Sequence, residues 1–193
     1  MQNYKLGEYI RQRRLDLGLT QEQVCAGICE SVTLSRFENG KQTPSRNRIN
    51  AILQRLGLPD DRYYALVTPE ELEIEALKKE IVSCNALKCV EEGFDKISRL
   101  EKIAKPDDQI TQQFILRSKV LLGGLDKRYS NDERIQMLLQ AIRMTIPDFQ
   151  LDKIEDFLFT LDEMKLVNQI GNAYSLSGDN KKQPIFSIDC FNI

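Results

Sequence analysis

Residues 20–45 read TQEQVCAGICESVTLSRFENGKQTPS, and the fold of the first third of the chain follows from them. Gln23 stands three residues after Thr20, the spacing of a capping box in which each side chain satisfies the other residue's free amide. Val24 and Ile28 supply the apolar face of the helix that begins there, read as Thr20–Gly27. Ser31 is read as the cap of a second short helix, Ser31–Glu38, whose buried pair, Leu34 and Phe37, lies one turn apart. Asn39-Gly40 ends it, because either residue tolerates the left-handed conformation of a C-terminal cap.

On the N-terminal side, Leu6, Tyr9, Ile10, Arg13 and Leu17 keep helical spacing until Gly18. On the C-terminal side, Pro44-Ser45 opens a helix carrying Ile49, Ile52, Leu53 and Leu56, closed by Gly57. A fifth short helix is expected around Asp61 to Val67. Two short helices joined by a tight turn and held by flanking helices form a helix-turn-helix. Leu19-Thr20-Gln21-Glu22, Leu34-Ser35-Arg36, Glu38-Asn39-Gly40-Lys41 and Pro44-Ser45 together resemble the Cro/cI-type (lambda-repressor-like) DNA-binding domain, over residues 6–57. Compared with the commonest form of that domain, the turn reads one residue short, with Cys29-Glu30 where a glycine is usual.

A recognition helix places its first turn in the major groove, where base edges present distinct donor and acceptor patterns. With Leu34 and Phe37 turned inward, Ser31, Val32, Thr33, Ser35 and Arg36 face outward. Arg36 can offer two parallel donors to a guanine edge, worth about 1–3 kcal/mol of discrimination, or can hold a phosphate. Val32 suits a thymine methyl, and Ser31 and Thr33 suit a base or a phosphate. Asn39, Lys41, Ser45 and Arg46 surround the next helix start as phosphate clamps that fix register. The resemblance implies a DNA-backbone contact for Gln21. Arg11, Arg13 and Arg14 read equally well as a solvated face of the first helix.

The body reads as wholly helical. Residues 69–84 and 90–104 form one helix pair, and 108–122 and 131–146 a second. LDKIEDF follows, and 161–188 form a third pair. Helix pairs recurring at this interval suit a solenoid, since one pair cannot bury its own apolar faces. Val167, Ile170, Gly171, Tyr174 and Gly178 fall on the spacing of a tetratricopeptide repeat, which this segment resembles. In that register Lys165, Asn168, Asn172 and Ser175 turn towards a concave groove. Two amides one turn apart can hold an extended peptide backbone, and Lys165 suits a carboxylate. Gln112, Gln113, Arg117 and Lys119 are assigned similar parts in the middle pair, whereas Glu70–Glu75 and Glu91-Glu92 read as solvated faces.

Composition narrows the class. The chain has 193 residues with 41% hydrophobic and 29% charged side chains, enough to build a core. Residues 1–58 hold nine basic and five acidic side chains, a net +4; the whole chain is at −2, so the remainder carries −6. Only the head is therefore suited to a polyanion. The boundary is placed at LPDDRYYALVTPE, giving a head of residues 1–67 and a body of 68–193. The chain contains no histidine, which removes Ser-His-Asp and Cys-His catalysis and His-bearing zinc sites. No phosphate-binding glycine loop is present either, so the chain is expected to be no enzyme and to need no cofactor. Cys25, Cys29, Cys84, Cys89 and Cys190 lack the C-x-x-C spacing of zinc ribbons and read as free thiols. No stretch approaches the roughly 18 apolar residues of a membrane span. The first fourteen residues lack the apolar core of a signal peptide, so a cytoplasmic protein is expected.

The expected fold is thus all-α: a five-helix lambda-repressor-like head followed by an α-solenoid of about three tetratricopeptide-like pairs. This arrangement resembles the peptide-pheromone-sensing transcriptional regulators of Gram-positive bacteria, the RRNPP superfamily (Rgg and PlcR types). The resemblance implies a homodimer on a double-stranded DNA operator, with a short signalling peptide in the groove of the repeats. Members of that family usually carry more repeats than this chain holds. Two other readings stay open at this point. One is a repressor or antitoxin-like protein whose body mediates only dimer or partner contacts; the other is an interaction scaffold whose head binds no DNA.

Overall fold

The computed structural model describes residues 6–59 and 69–177, and all its regular elements there are helical. The head contains α1 (Leu6–Asp16), α2 (Gln21–Cys25), α3 (Ser31–Glu38) and α4 (Arg46–Arg55). The body contains α5 (Pro69–Leu87), α6 (Val90–Ile103), α7 (Gln109–Leu125), α8 (Asn131–Thr145), a 3-10 segment (Leu151–Asp156) and α9 (Leu161–Leu176). The expected fifth head helix and the second helix of the third pair, with Gly178, lie outside the described residues.

Local chemistry sets most boundaries. Three helices begin with reciprocal capping boxes: Thr20 with Gln23, Ser130 with Glu133, and Thr160 with Glu163. The cap of α3 differs from expectation. Glu30 occupies the cap position without a side-chain bond, and Ser31 is already helical. LDKIEDF is a 3-10 segment with non-helical backbone at Lys153, not a full helix.

The head closes on one core, in which Ile10, Val24, Leu34, Ile49 and Ile52 are at most 1% exposed. The body is a stack of antiparallel hairpins. Each helix from α5 to α8 packs on its successor, and α5 also meets α7, as a solenoid requires. Ile97, Leu100 and Leu122 centre one body core; Leu138, Ile142, Leu166 and Val167 centre the next. A Cβ on Gly93 would lie 2.6 Å from the Leu122 side chain, so α6 and α7 approach as closely as a glycine permits. Phe149, Phe157 and Phe159 stack between α8 and α9, with ring centroids 5.9–6.4 Å apart.

Candidate nucleic-acid interface and helical groove

The pitch of α3 is set by the turn before it. α2 stops at Cys25, two residues earlier than the sequence suggests, because Ala26 (φ −49°, ψ 124°) and Gly27 (φ +67°) take the backbone of a type II turn. The Cys25 carbonyl accepts from the amides of Ile28 at 2.9 Å and Cys29 at 3.0 Å. Gly27 is therefore the turn glycine, at the one position where positive φ is required. The reading of a turn without its glycine was wrong because it let the helix run over that residue.

With the turn closed, Leu34 and Phe37 are buried, as expected. Ser31, Thr33 and Ser35 are half-buried, and Arg36 and Val32 are exposed, Val32 to 57%. No ion pair engages Arg36 or Lys41 among the described residues.

Beneath this surface is a buried polar node. Arg14 donates from Nε and Nη2 to the two Glu38 carboxylate oxygens at 2.7 and 2.9 Å, and from Nη1 to the Leu19 carbonyl at 2.9 Å. Gln21 Nε2 adds a donor to Glu38 at 2.6 Å. The bond to Glu38 raises the guanidinium pKa above its ordinary value. One carboxylate thus ties α1, the start of α2 and the end of α3 together. Arg14 is not a solvated side chain, as its run of basic neighbours suggested; it is 7% exposed. Arg13 donates to the Leu56 carbonyl, and Arg11 alone of the three is exposed. Gln21 keeps its place at the α2 start, with its donor engaged inward.

The proposed clamps form a rim. Asn39 Nδ2 donates to the Ser35 carbonyl at 2.7 Å, and Lys41 is exposed. Ser45 stands at the cap position of α4 without a side-chain cap. Instead, Glu71 of α5 accepts from the Arg46 amide at 3.3 Å, so Glu71 is not simply part of a solvated face.

Behind the head, α4, α5, α7 and the start of α9 enclose about 390 Å³. Gln54, Glu75, Lys78, Phe114, Arg117 and Asp162 are among its walls. Head and body are clasped around it. Arg55 Nη2 meets Glu163 at 3.1 Å, the two side chains being 2% and 1% exposed, while Nη1 donates to the carbonyls of Val24 and Ala26. The Leu161 amide donates to Gln54 Oε1 at 3.2 Å, and Arg48 lies 3.5 Å from Asp107. Gly27 rests directly on the Thr145 carbonyl, where any Cβ would collide.

The residues assigned to the middle pair divide. Gln113 and Arg117 reach the groove; Gln113 is buried, donating to the Ala141 carbonyl at 3.0 Å and to Thr145 Oγ1 at 2.6 Å. Burial lowers the Arg117 pKa, against the pull of Asp162 at 3.7 Å. Gln112 and Lys119 turn elsewhere, to the Lys105 carbonyl and to Glu101. On α9, Lys165 pairs with Asp162 at 2.9 Å, and Asn168 and Asn172 are exposed further along the helix, outside the enclosed part of the groove. Sequence reasoning missed Arg55 and Glu163. Only Glu163 carried a local signal, its capping box, and nothing local announces a partner 108 residues away.

Residues 5–66 match the family model described as a helix-turn-helix domain. No match to the chain is found among curated proteins. Among solved structures the chain is similar to Bacillus thuringiensis PlcR in complex with the peptide PapR7 and DNA. Identity is 23% and the TM-score 0.49, over 93% of this chain and 61% of that one. The chain therefore spans less than two thirds of that relative's length. No helix among the described residues is long and apolar enough to cross a membrane.

Proposed function

We propose that this chain is a sequence-specific DNA-binding transcriptional regulator, acting as a homodimer, whose helical body binds a short regulatory peptide. Residues 1–67 are the DNA-binding head and 68–193 the repeat body. The observation that carries the reading is α3: it offers Val32 and Arg36 to solvent from a helix fixed by the buried Arg14–Glu38 pair. A match to the helix-turn-helix domain family and the net +4 of residues 1–58 support it.

In this reading Ser31, Val32, Thr33, Ser35 and Arg36 meet base edges and nearby phosphates. Gln21, Asn39, Lys41, Ser45 and Arg46 fix register on the backbone. Lys165, Asn168 and Asn172 receive the peptide. Because head and body share the walls of the groove, a peptide entering it would shift the Arg55–Glu163 clasp. Coupling of that kind is typically about 1–3 kcal/mol.

Selection from random duplexes with the full chain tests the first part. The expected product is a two-fold-related site whose halves lie about 34 Å apart, or a multiple of that. No enrichment would refute DNA reading, and a single half-site would refute the dimer. For the second part, the paired substitution Asn168→Ala and Asn172→Ala should abolish calorimetric peptide binding and leave thermal stability unchanged. Retained binding would reject those residues.

A further inference from the structure

The seat under Gly27 is held from the wall of the groove. Gln113 of α7 is 4% exposed and lines the cavity between head and body. Its Nε2 has two hydrogens and gives both to α8, one to the Ala141 carbonyl at 3.0 Å and one to Thr145 Oγ1 at 2.6 Å. Those acceptors stand four residues apart on the last turn of α8. The Thr145 carbonyl in turn lies so close to Gly27 that a Cβ there would collide with it. Ile28, the next residue, lines the same cavity. The amides of Ile28 and Cys29 close the turn on the Cys25 carbonyl, and α3 begins at Ser31. We propose that Gln113 is a positioning residue for DNA reading: it fixes the end of α8, on which the α2–α3 turn is seated, and through that seat the pitch of α3. The inference rests on the reading of α3 as the recognition helix.

Burial makes this tie matter. Without Gln113, Thr145 Oγ1 and the Ala141 carbonyl each lose a donor. Bulk water does not reach Thr145, which is 2% exposed, so the hydroxyl stays unsatisfied unless the end of α8 moves. Gly27 leaves such a movement no slack, because it touches the carbonyl of the same residue. A displaced Thr145 therefore carries the turn with it, and α3 starts four residues further on.

The turn has a second grip, and it holds the other side. Arg55 Nη1 donates to the carbonyls of Val24 and Ala26, ahead of Gly27, while its Nη2 is committed to Glu163. Arg55 thus fixes the end of α2, and Thr145 fixes the residue from which the chain sets out towards α3. Gln112, the neighbour of Gln113 on α7, is an internal comparison. Its Nε2 donates at 3.2 Å to the Lys105 carbonyl, an exposed contact away from α8, and it holds nothing beneath the head.

Gln113→Leu, Thr145→Val and the control Gln112→Leu, each in the full chain, provide the test. Hydrogen exchange reads the seat without DNA. In Gln113→Leu the Ile28 and Cys29 amides should exchange about tenfold faster, while the Leu161 amide, bonded to Gln54, keeps its rate. Thr145→Val keeps the Ala141 bond and the branched shape, so it should show a smaller change at the same amides; Thr145→Ser keeps the hydroxyl and should match the wild type. On the duplex that the wild type selects from random sequences, Gln113→Leu should bind about tenfold more weakly, with an unrelated duplex bound as before. A residue that only stabilises the body would lower urea stability and leave the ratio of the two affinities unchanged. Should Gln113→Leu not fold, Thr145→Val carries both readouts. Wild-type exchange at Ile28 and Cys29 in these variants, an unchanged affinity ratio, or the same losses in Gln112→Leu would each overturn the role of Gln113 while the DNA reading stands. Failure of the wild type to select any duplex would instead refute that reading, and the proposal with it.

Discussion

Glu163→Gln isolates the charge of the clasp from everything else Glu163 does. Its Oε2 accepts from the Thr160 amide in the capping box, and its Oε1 meets Arg55. A glutamine has one oxygen. Turned to the Thr160 amide it still caps α9, and its NH2 then faces Arg55 where a carboxylate oxygen stood. The substitution therefore keeps the helix start and removes the partner of the guanidinium. The guanidinium left behind is 2% exposed, with Nη1 engaged by two carbonyls and Nε without a partner. Breaking a buried pair from one side typically costs about 3–5 kcal/mol, because the other charge stays out of water. With the cap of α9 retained, this case falls near 3 kcal/mol, roughly a hundredfold in the equilibrium. If the head swings away instead of unfolding, Arg55 rehydrates and the cost is capped at the free energy of docking. Urea unfolding reads the global cost, and hydrogen exchange at the Leu161 amide, which donates to Gln54 of the head, reads undocking. Glu163→Ala should lose about 1 kcal/mol more through the cap. Arg55→Met combined with Glu163→Leu should recover most of the loss, since an apolar pair leaves no orphaned charge. A loss below about 0.5 kcal/mol with unchanged Leu161 exchange would refute a shielded ion pair joining the two halves.

Arg36→Ala should flatten preference among duplexes by about 1–3 kcal/mol, whereas Lys41→Ala should weaken all of them alike and reduce the salt slope by about one, as fluorescence anisotropy across salt concentrations reports. Gly27→Ala should cost about 1–2 kcal/mol for positive φ alone, and its effect should be non-additive with Glu163→Gln because both act on one seat; a urea double-mutant cycle measures this. Glu133 accepts from the Ser130 amide and hydroxyl, which holds its carboxyl below the ordinary value. Its support for α8 is therefore complete above the unfolded-state pKa and lost as pH falls through the lower folded value. NMR titration should show Glu133 protonating at lower pH than in Ser130→Ala.

Most of the head is legible along the chain because its boundaries are set within four residues: a capping box at Thr20, a left-handed Gly40, apolar pairs one turn apart. The helix pairs of the body are legible for the same reason. Arg14 is not, because in the run Arg11, Arg13, Arg14 the three cations look alike until the carboxylate of Glu38, 24 residues on, singles one out. The turn is not legible along the chain because Ile28 continues the apolar spacing of Val24, while the backbone at Ala26 has already left the helix. The groove is legible only in part. Helical phase places Arg117 inward, but its enclosure comes from α4 of the head, and Arg55 meets Glu163 only once both halves are folded.

The seat of Gly27 on Thr145 sets a rule for how this chain can diverge. A side chain at position 27 forces the end of α8 to retreat, and Gln113 anchors that end from α7 through Ala141 and Thr145. Positions 27, 113 and 145 should thus drift together among descendants. A lineage that admits alanine at 27 will either have rebuilt the α8 terminus or have given up the docked arrangement.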